Sequence, residues 1–338
     1  MLNQQTTTEN RPQEVFIIAG MGRSGTSLVA NFLQSLGIHM GDQVPAADEH
    51  NKYGYFEDLD FICFHEQILA RHGLDYFANP RQPLSLVAEE ITAARTLVRA
   101  KSIRPLWGWK DPRTAFVLDF WREELPQAHF IFLYRDPVEV FLSQLKSHEW
   151  TDDPATIVDA WVAYNDHVLK FYTCYPRQSM LCNIHGLLQN ISTFEALIGS
   201  KFGLSARIAQ ELYYAESLHR LAIPQPILTF LARRFPDMMT LYEKLQQAAD
   251  IPAAETAAET PGDMHALLDY VGNVMYAVLT SQARDHQHMK REHQQLQSRF
   301  QELQLQYQDI TSSETFRLAQ AIQQSWLMKV ARLLRKRQ

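Results

Sequence analysis

The sequence predicts an α/β fold of three layers, in which helices cover both faces of a central parallel sheet. Two observations predict it. Residues 15–19 and 130–134 are short, continuously apolar runs, as expected of parallel strands that are buried on both faces. Each run leads through a turn into a segment of helical periodicity, and this order of strand, loop and helix is typical of parallel sheets.

The loop after the first strand has the sequence GMGRSGTS over residues 20–27. Between a strand and a helix, such a loop directs backbone N–H groups and the positive end of the helix dipole to one point, which suits a phosphate group. A nucleoside-triphosphate P-loop needs lysine where Thr26 stands, and the basic residue of this loop is Arg23. The spacing therefore favours a phosphate-like ligand other than the ATP of a kinase.

A second polar motif follows the strand at residues 130–134. Arg135 stands at the carboxyl end of that strand, where open α/β sheets bind ligands. Ser143 lies eight residues further along, in the helix that follows. Upstream, the sequence KDP at residues 110–112 predicts a turn.

Together, these motifs resemble the two donor-binding elements of sulfotransferases that use 3′-phosphoadenosine 5′-phosphosulfate (PAPS). The KDP turn is similar to one in tyrosylprotein and bacterial members of that family. The resemblance implies the P-loop-like sulfotransferase fold, PAPS as co-substrate, no metal, and transfer of a sulfuryl group to a hydroxyl of a carbohydrate or glycolipid.

The resemblance also implies roles for individual residues. Arg23 and Lys110 would be the catalytic cations, and Glu57 in the sequence GYFE (54–57) would be the general base. Glu49, His50 and Asp42 remain alternatives for the base. The residues expected to bind PAPS are Gly22, Arg23, Ser24, Gly25, Thr26, Ser27, Arg135 and Ser143.

Further helices are predicted over residues 57–71 and 89–101. The first would present Leu59, Ile62, Cys63 and Leu69 as its apolar side. A buried strand at 180–184 and a helix over 187–204 follow. The family usually continues that strand with Tyr-Glu, whereas this chain has the sequence HGLL at residues 185–188.

Composition shifts divide the chain into four parts. Residues 1–14 would be a polar, flexible N-terminus, and residues 15–250 would form the sulfotransferase domain that the resemblance implies. Small residues bounded by proline at 251–262 indicate a linker. Residues 263–338 form a helical extension that contains a short coiled coil and a basic amphipathic tail.

The extension predicts two kinds of contact. A heptad pattern over residues 289–310 predicts a homodimer, and the basic helix at 316–337 predicts peripheral contact with the inner face of a membrane. The net charge of −6 argues against a nucleic-acid partner. Three cysteines and the absence of both a signal peptide and an apolar run of about 18 residues predict a cytoplasmic protein.

Two other functions fit part of the pattern. A P-loop nucleotide-dependent kinase would explain the glycine-rich loop, although the lysine is missing. A non-catalytic nucleotide-binding scaffold would explain the loop and the coiled coil together, and it would bind adenosine bisphosphate without turnover.

Overall fold

A computed structural model describes residues 13–44, 56–146, 154–208, 233 and 235–253. All of them belong to the first of two units into which the chain divides, Met1–Met275 and Tyr276–Gln338. The predicted coiled coil and basic tail, most of the N-terminus and most of the linker lie outside the described residues. The predictions made for them therefore stay predictions.

The described strands form one parallel sheet in the order β2-β1-β3-β4. They are β1 (Glu14–Ala19), β2 (Leu106–Lys110), β3 (Ala128–Tyr134) and β4 (Ser179–Asn183). From β1 the chain first builds β2 on one side and then crosses to build β3 on the other. The carboxyl ends of β1 and β3 therefore flank the switch point of the sheet, where α/β proteins bind ligands.

The described helices lie between consecutive strands, except the last three, which follow β4. They are α1 (Thr26–Ser35), α2 (Leu59–Arg71), α3 (Ala88–Lys101), a 3₁₀ helix (Pro112–Phe116), α4 (Leu118–Glu124), α5 (Pro137–Lys146), α6 (Pro154–Cys174), α7 (Ile184–Gln189), α8 (Ile191–Phe202) and α9 (Pro236–Ala248). The α/β fold with a central parallel sheet is confirmed.

The sheet is covered on both faces. On one face, Ile18 and Ile131 pack in a single apolar cluster with residues of α1 and α8. On the other, Trp109 of β2 stacks on Phe61 of α2 with 4.1 Å between ring centroids, and Phe130 lies 4.8 Å from Phe171 of α6. Helices on both faces complete the predicted three layers.

The apolar side predicted for α2 is wrong. Leu59 and Cys63 are exposed, and Leu69 alone of the four named residues is fully buried. The buried side instead carries Phe61, Phe64, His65, Ile68 and Leu69. The aromatic layer decides the orientation, because the rings of α2 bury more surface against the tryptophans of the sheet than the aliphatic side chains would.

The continuous helix predicted over 187–204 is also wrong. It begins earlier and is divided at Asn190 into α7 and α8. The side chain of Asn190 donates a hydrogen bond to the Gly186 carbonyl at 3.0 Å, so it competes with the helical backbone pattern. Downstream, Ile251 exchanges backbone hydrogen bonds with Leu181 and Asn183, so the first residue of the predicted linker lies against β4.

Candidate functional site

Glycines shape the loop between β1 and α1. Gly20 has φ 138°, and a Cβ built on it would lie 2.2 Å from the carbonyl oxygen of Leu133 in β3. Gly22 packs against Tyr76, whose hydroxyl would lie 1.8 Å from an added Cβ. Arg23 takes a left-handed conformation with φ 69°, which is uncommon outside glycine and costs conformational energy. The loop is therefore held tightly between the sheet and the segment that carries Tyr76.

The two predicted donor-binding motifs meet in space. Arg23 donates a hydrogen bond from Nε to Ser143 Oγ at 2.9 Å, across 120 residues of sequence. Arg135 Nη1 lies 3.4 Å from the Arg23 carbonyl oxygen. The loop after β1 and the start of α5 after β3 thus form one site at the switch point of the sheet.

The start of α1 fits an anion. Gly25 has φ 88° and precedes α1 without a side-chain cap, and the first turn of the helix contains no acidic residue. The Ser24 side chain is fully buried, and its Oγ has no hydrogen-bond partner among the described residues. A buried hydroxyl without a partner costs about 1–3 kcal/mol, which a bound phosphate or sulfate oxygen would remove. Thr26 is buried beside it, and Ser27 is half-buried.

The predicted base and the predicted second cation form an ion pair. Lys110, the last residue of β2, is buried and donates a hydrogen bond from Nζ to Glu57 Oε1. Glu57 lies between Phe56, which has φ 53°, and Asp58, which caps α2. Burial raises the pKa of the Glu57 carboxyl, and Lys110 opposes that rise. A raised pKa makes the carboxylate a better proton acceptor.

Of the three alternative bases, the structure describes Asp42 alone. Asp42 is engaged by Lys101 Nζ at 3.1 Å, His39 Nε2 at 2.7 Å and, more weakly, Arg104 Nη2 at 3.4 Å. The hydrogen bonds from Lys101 and His39 lower the pKa of Asp42 to about 2, which makes it a weak proton acceptor. Glu49 and His50 lie outside the described residues.

Asp111 forms a buried polar network behind Lys110. Its Oδ2 accepts a hydrogen bond from His65 Nδ1 at 2.7 Å, and its Oδ1 accepts one from Arg113 Nη1 at 3.0 Å. Trp121 donates its Nε1–H to His65 Nε2 at 2.9 Å, so His65 is the neutral tautomer that carries its proton on Nδ1. Burial acts to raise the pKa of Asp111, but Arg113 and His65 outweigh it and the net shift is downward.

Sequence reasoning missed three buried residues of this region: His65, Glu139 and His185. Glu139 accepts hydrogen bonds from Arg135 and His185. Glu139 lies only four residues after Arg135, so the pairing at the start of α5 is local in sequence. The histidines have no comparable signal, because their partners are distant in sequence.

Within the part of the chain that the structure describes, no cluster of three or more His, Cys, Asp or Glu residues could hold a metal ion. No helix among the same residues is both long and apolar enough to span a membrane.

Comparisons with known proteins found similarity to sulfotransferases. The model of the sulfotransferase family matches residues 15–181. Among solved structures, the sulfotransferase domain of an olefin synthase from Synechococcus is similar at 14% identity and a TM-score of 0.40, covering 74% of this chain and 100% of that one. A sulfotransferase from Mycobacterium tuberculosis is similar at 15% identity and a TM-score of 0.38, covering 70% and 77%. No curated protein sequence matches the chain.

Proposed function

We propose that the protein, whose residues 15–181 match the model of the sulfotransferase family, transfers the sulfuryl group of PAPS to a hydroxyl of a carbohydrate or glycolipid. The observation that carries the proposal is the 2.9 Å hydrogen bond from Arg23 Nε to Ser143 Oγ. It joins the phosphate-binding loop to the helix that follows Arg135. The carbohydrate or glycolipid acceptor is supported by the motif resemblance.

The donor would lie along the carboxyl edge of the sheet. The backbone of the loop, the buried Ser24 hydroxyl and Thr26 and Ser27 at the start of α1 would hold its 5′-phosphosulfate. Arg135 and Ser143 would hold its 3′-phosphate. When bound, PAPS supplies the sulfuryl group, and the new bond from the acceptor oxygen to sulfur replaces the bond from sulfur to the bridging oxygen.

The chain's own residues would then accept the proton of the acceptor hydroxyl and stabilise the negative charge that develops on the donor. Glu57 accepts the proton of the acceptor hydroxyl at its carboxylate. Arg23 offsets the negative charge that develops on the bridging oxygen, and Lys110 offsets charge on the sulfuryl oxygens. Charged donors fixed in advance around developing charge are a strong source of catalysis, since they need no rearrangement during the reaction.

Donor binding is tested by calorimetric titration with adenosine 3′,5′-bisphosphate in the presence of EDTA, and in parallel with ATP and Mg²⁺. We expect the bisphosphate to bind without metal. Arg135→Ala should weaken it roughly 10- to 100-fold, as expected from losing a hydrogen bond to a charged group. Lys170→Ala, which removes an exposed lysine of α6, is the matched control. Preference for ATP with Mg²⁺ would overturn the proposal in favour of a kinase.

The catalytic part is tested with Glu57→Gln. We expect this variant to bind the bisphosphate like the wild type and to lose about 10²- to 10⁴-fold in the rate of label transfer from PAPS to a hydroxyl acceptor, because it lacks the general base. Wild-type binding without turnover on a broad panel of carbohydrate and glycolipid acceptors would favour the scaffold function instead.

We also propose that the chain forms a homodimer through residues 289–310 and contacts the inner face of the membrane through 316–337, as a cytoplasmic protein. Both segments lie outside the described residues, and their sequence patterns support the proposal. Light scattering on the full chain tests the first contact. Sedimentation with vesicles that contain anionic lipid, at low and high salt, tests the second.

A further inference from the structure

Arg135 is held from behind by a buried carboxylate. Its Nε donates a hydrogen bond to Glu139 Oε2 at 2.6 Å, and the same oxygen accepts one from His185 Nε2 at 2.6 Å. The side chains of all three residues are at most 9% exposed. Because an ionised carboxylate can only accept, Arg135 and His185 both act as donors, and Glu139 is bonded from two sides.

This arrangement sets the orientation of the guanidinium. With Nε bonded to Glu139, the Nη1 group faces the loop, 3.4 Å from the Arg23 carbonyl. A guanidinium is planar, so fixing one edge fixes the direction of the other donors. Burial acts to raise the pKa of Glu139, but His185 and Arg135 outweigh it, so the carboxyl stays ionised at neutral pH.

His185 is itself held rigidly. It lies in the first turn of α7, where the Asn183 side chain accepts hydrogen bonds from the backbone N–H groups of His185 at 3.0 Å and Gly186 at 3.3 Å. A Cβ on Gly186 would lie 1.8 Å from the Pro252 carbonyl oxygen, so the backbone there is closely packed. The histidine therefore reaches Glu139 from a fixed position at the carboxyl end of β4.

We propose that Glu139 and His185 are positioning residues that hold Arg135 in the orientation required by the 3′-phosphate of the donor. The inference rests on the proposed function, since it assumes that Arg135 contacts that phosphate. Neither positioning residue needs to touch the donor, so their effect should be confined to ligands that carry a 3′-phosphate.

The test compares two ligands by titration calorimetry: adenosine 3′,5′-bisphosphate and adenosine 5′-phosphate, which lacks the 3′-phosphate. We expect His185→Phe to weaken the bisphosphate about 5- to 20-fold and to leave the monophosphate unchanged. His185→Gln should restore much of the affinity, because its amide can donate a hydrogen bond to Glu139. Unfolding curves of the full-length variants verify that each is folded.

The double variant Arg135→Ala with His185→Phe should bind the bisphosphate no more weakly than Arg135→Ala alone, because residues that act through one another are not additive. Losses that add, or an equal loss for both ligands in His185→Phe, would overturn the inference. If the wild type binds the bisphosphate no better than the monophosphate, the proposed function falls and the inference falls with it. The wild-type titration therefore separates the two failures.

Discussion

Replacing Lys101 by methionine tests what fixes the segment that carries Glu57. Lys101 ends α3, and its buried Nζ lies 2.7 Å from Asp58 Oδ2, 2.8 Å from Asp60 Oδ2 and 3.1 Å from Asp42 Oδ2. Burial acts to lower the pKa of Lys101, but its bonds to the three carboxylates raise it overall. Asp58 directly follows Glu57, so the ion pair anchors the residue next to the proposed base.

The three carboxylate partners of Lys101 contribute unequally to the stability that is lost when the lysine is replaced. The side chains of Asp60 and Asp42 are 42% and 40% exposed. Water therefore solvates these carboxylates when the lysine is removed, and its loss costs little stability there. Asp58 is 1% exposed and would be left as a buried charge. Breaking a buried pair in this way costs about 3–5 kcal/mol. Because Asp58 keeps hydrogen bonds from two backbone N–H groups, we expect the lower end, about 3 kcal/mol of unfolding free energy.

Urea unfolding of Lys101→Met measures this loss. Arg95→Met is the matched control, because Arg95 lies on the same helix but its pair with Glu124 is at the surface. We expect no measurable change for that control. Adding Asp58→Asn to Lys101→Met should recover part of the stability, since a neutral amide leaves no buried charge. A Lys101 variant as stable as the Arg95 control would refute the reasoning, and so would a double variant that is less stable than Lys101→Met.

Three further results are expected. Burial between aromatic rings lowers the pKa of His129 to about 4. The folded state therefore binds a proton at His129 less readily than the unfolded chain does. The free energy of unfolding should fall as the pH drops below about 6.5. We expect His129→Phe to remove about 2 kcal/mol of the stability loss between pH 7.5 and pH 5, as measured by urea unfolding at both values. Gly22→Ala should destabilise the protein by about 1–3 kcal/mol through overpacking, and adding Tyr76→Phe should restore part of the loss in thermal unfolding, because the clashing hydroxyl is gone. In native protein, a thiol reagent should modify the exposed Cys63 and Cys174 quickly. It should reach Cys182 only on unfolding, because that thiol is buried and burial raises its pKa. Fast reaction of all three cysteines would contradict the described packing.

The sequence predicted the parts of the fold that depend on local pattern. Strands β1, β3 and β4 each contain a short apolar run, and α5 begins at Pro137 as its residue type favours. The orientation of α2 could not be predicted in this way, because it depends on Trp109 across the layer rather than on periodicity alone. The break at Asn190 depends on a hydrogen bond of its side chain, which competes with the helix and leaves no trace in the hydrophobic pattern.

In the candidate site, too, the sequence predicted what depends on local spacing and missed the contacts between distant segments. Spacing within one segment identified Arg23 in its loop and Ser143 eight residues after Arg135, and the structure places Arg23 and Ser143 in contact. The sequence did not indicate that Glu57 and Lys110 form a pair, since 53 residues separate them. The sequence HGLL at residues 185–188, where the family usually has Tyr-Glu, indicated a departure from the family pattern. The role proposed for His185 depends on its contact with Glu139, which forms only in the folded chain.

The topology explains why these residues converge. Parallel strands end at one edge of a sheet, and each of the four described strands delivers a polar residue there. Lys110 ends β2, and the others follow β1, β3 and β4: Arg23, Arg135 and His185. An unpaired cation buried at this edge would cost several kcal/mol, and the fold avoids this by giving Lys110 and Arg135 a carboxylate partner each. The positive groups are therefore already desolvated and oriented before any anion arrives. An anionic donor would meet N–H donors that are already fixed in direction, and preorganised sites of this kind bind developing negative charge well.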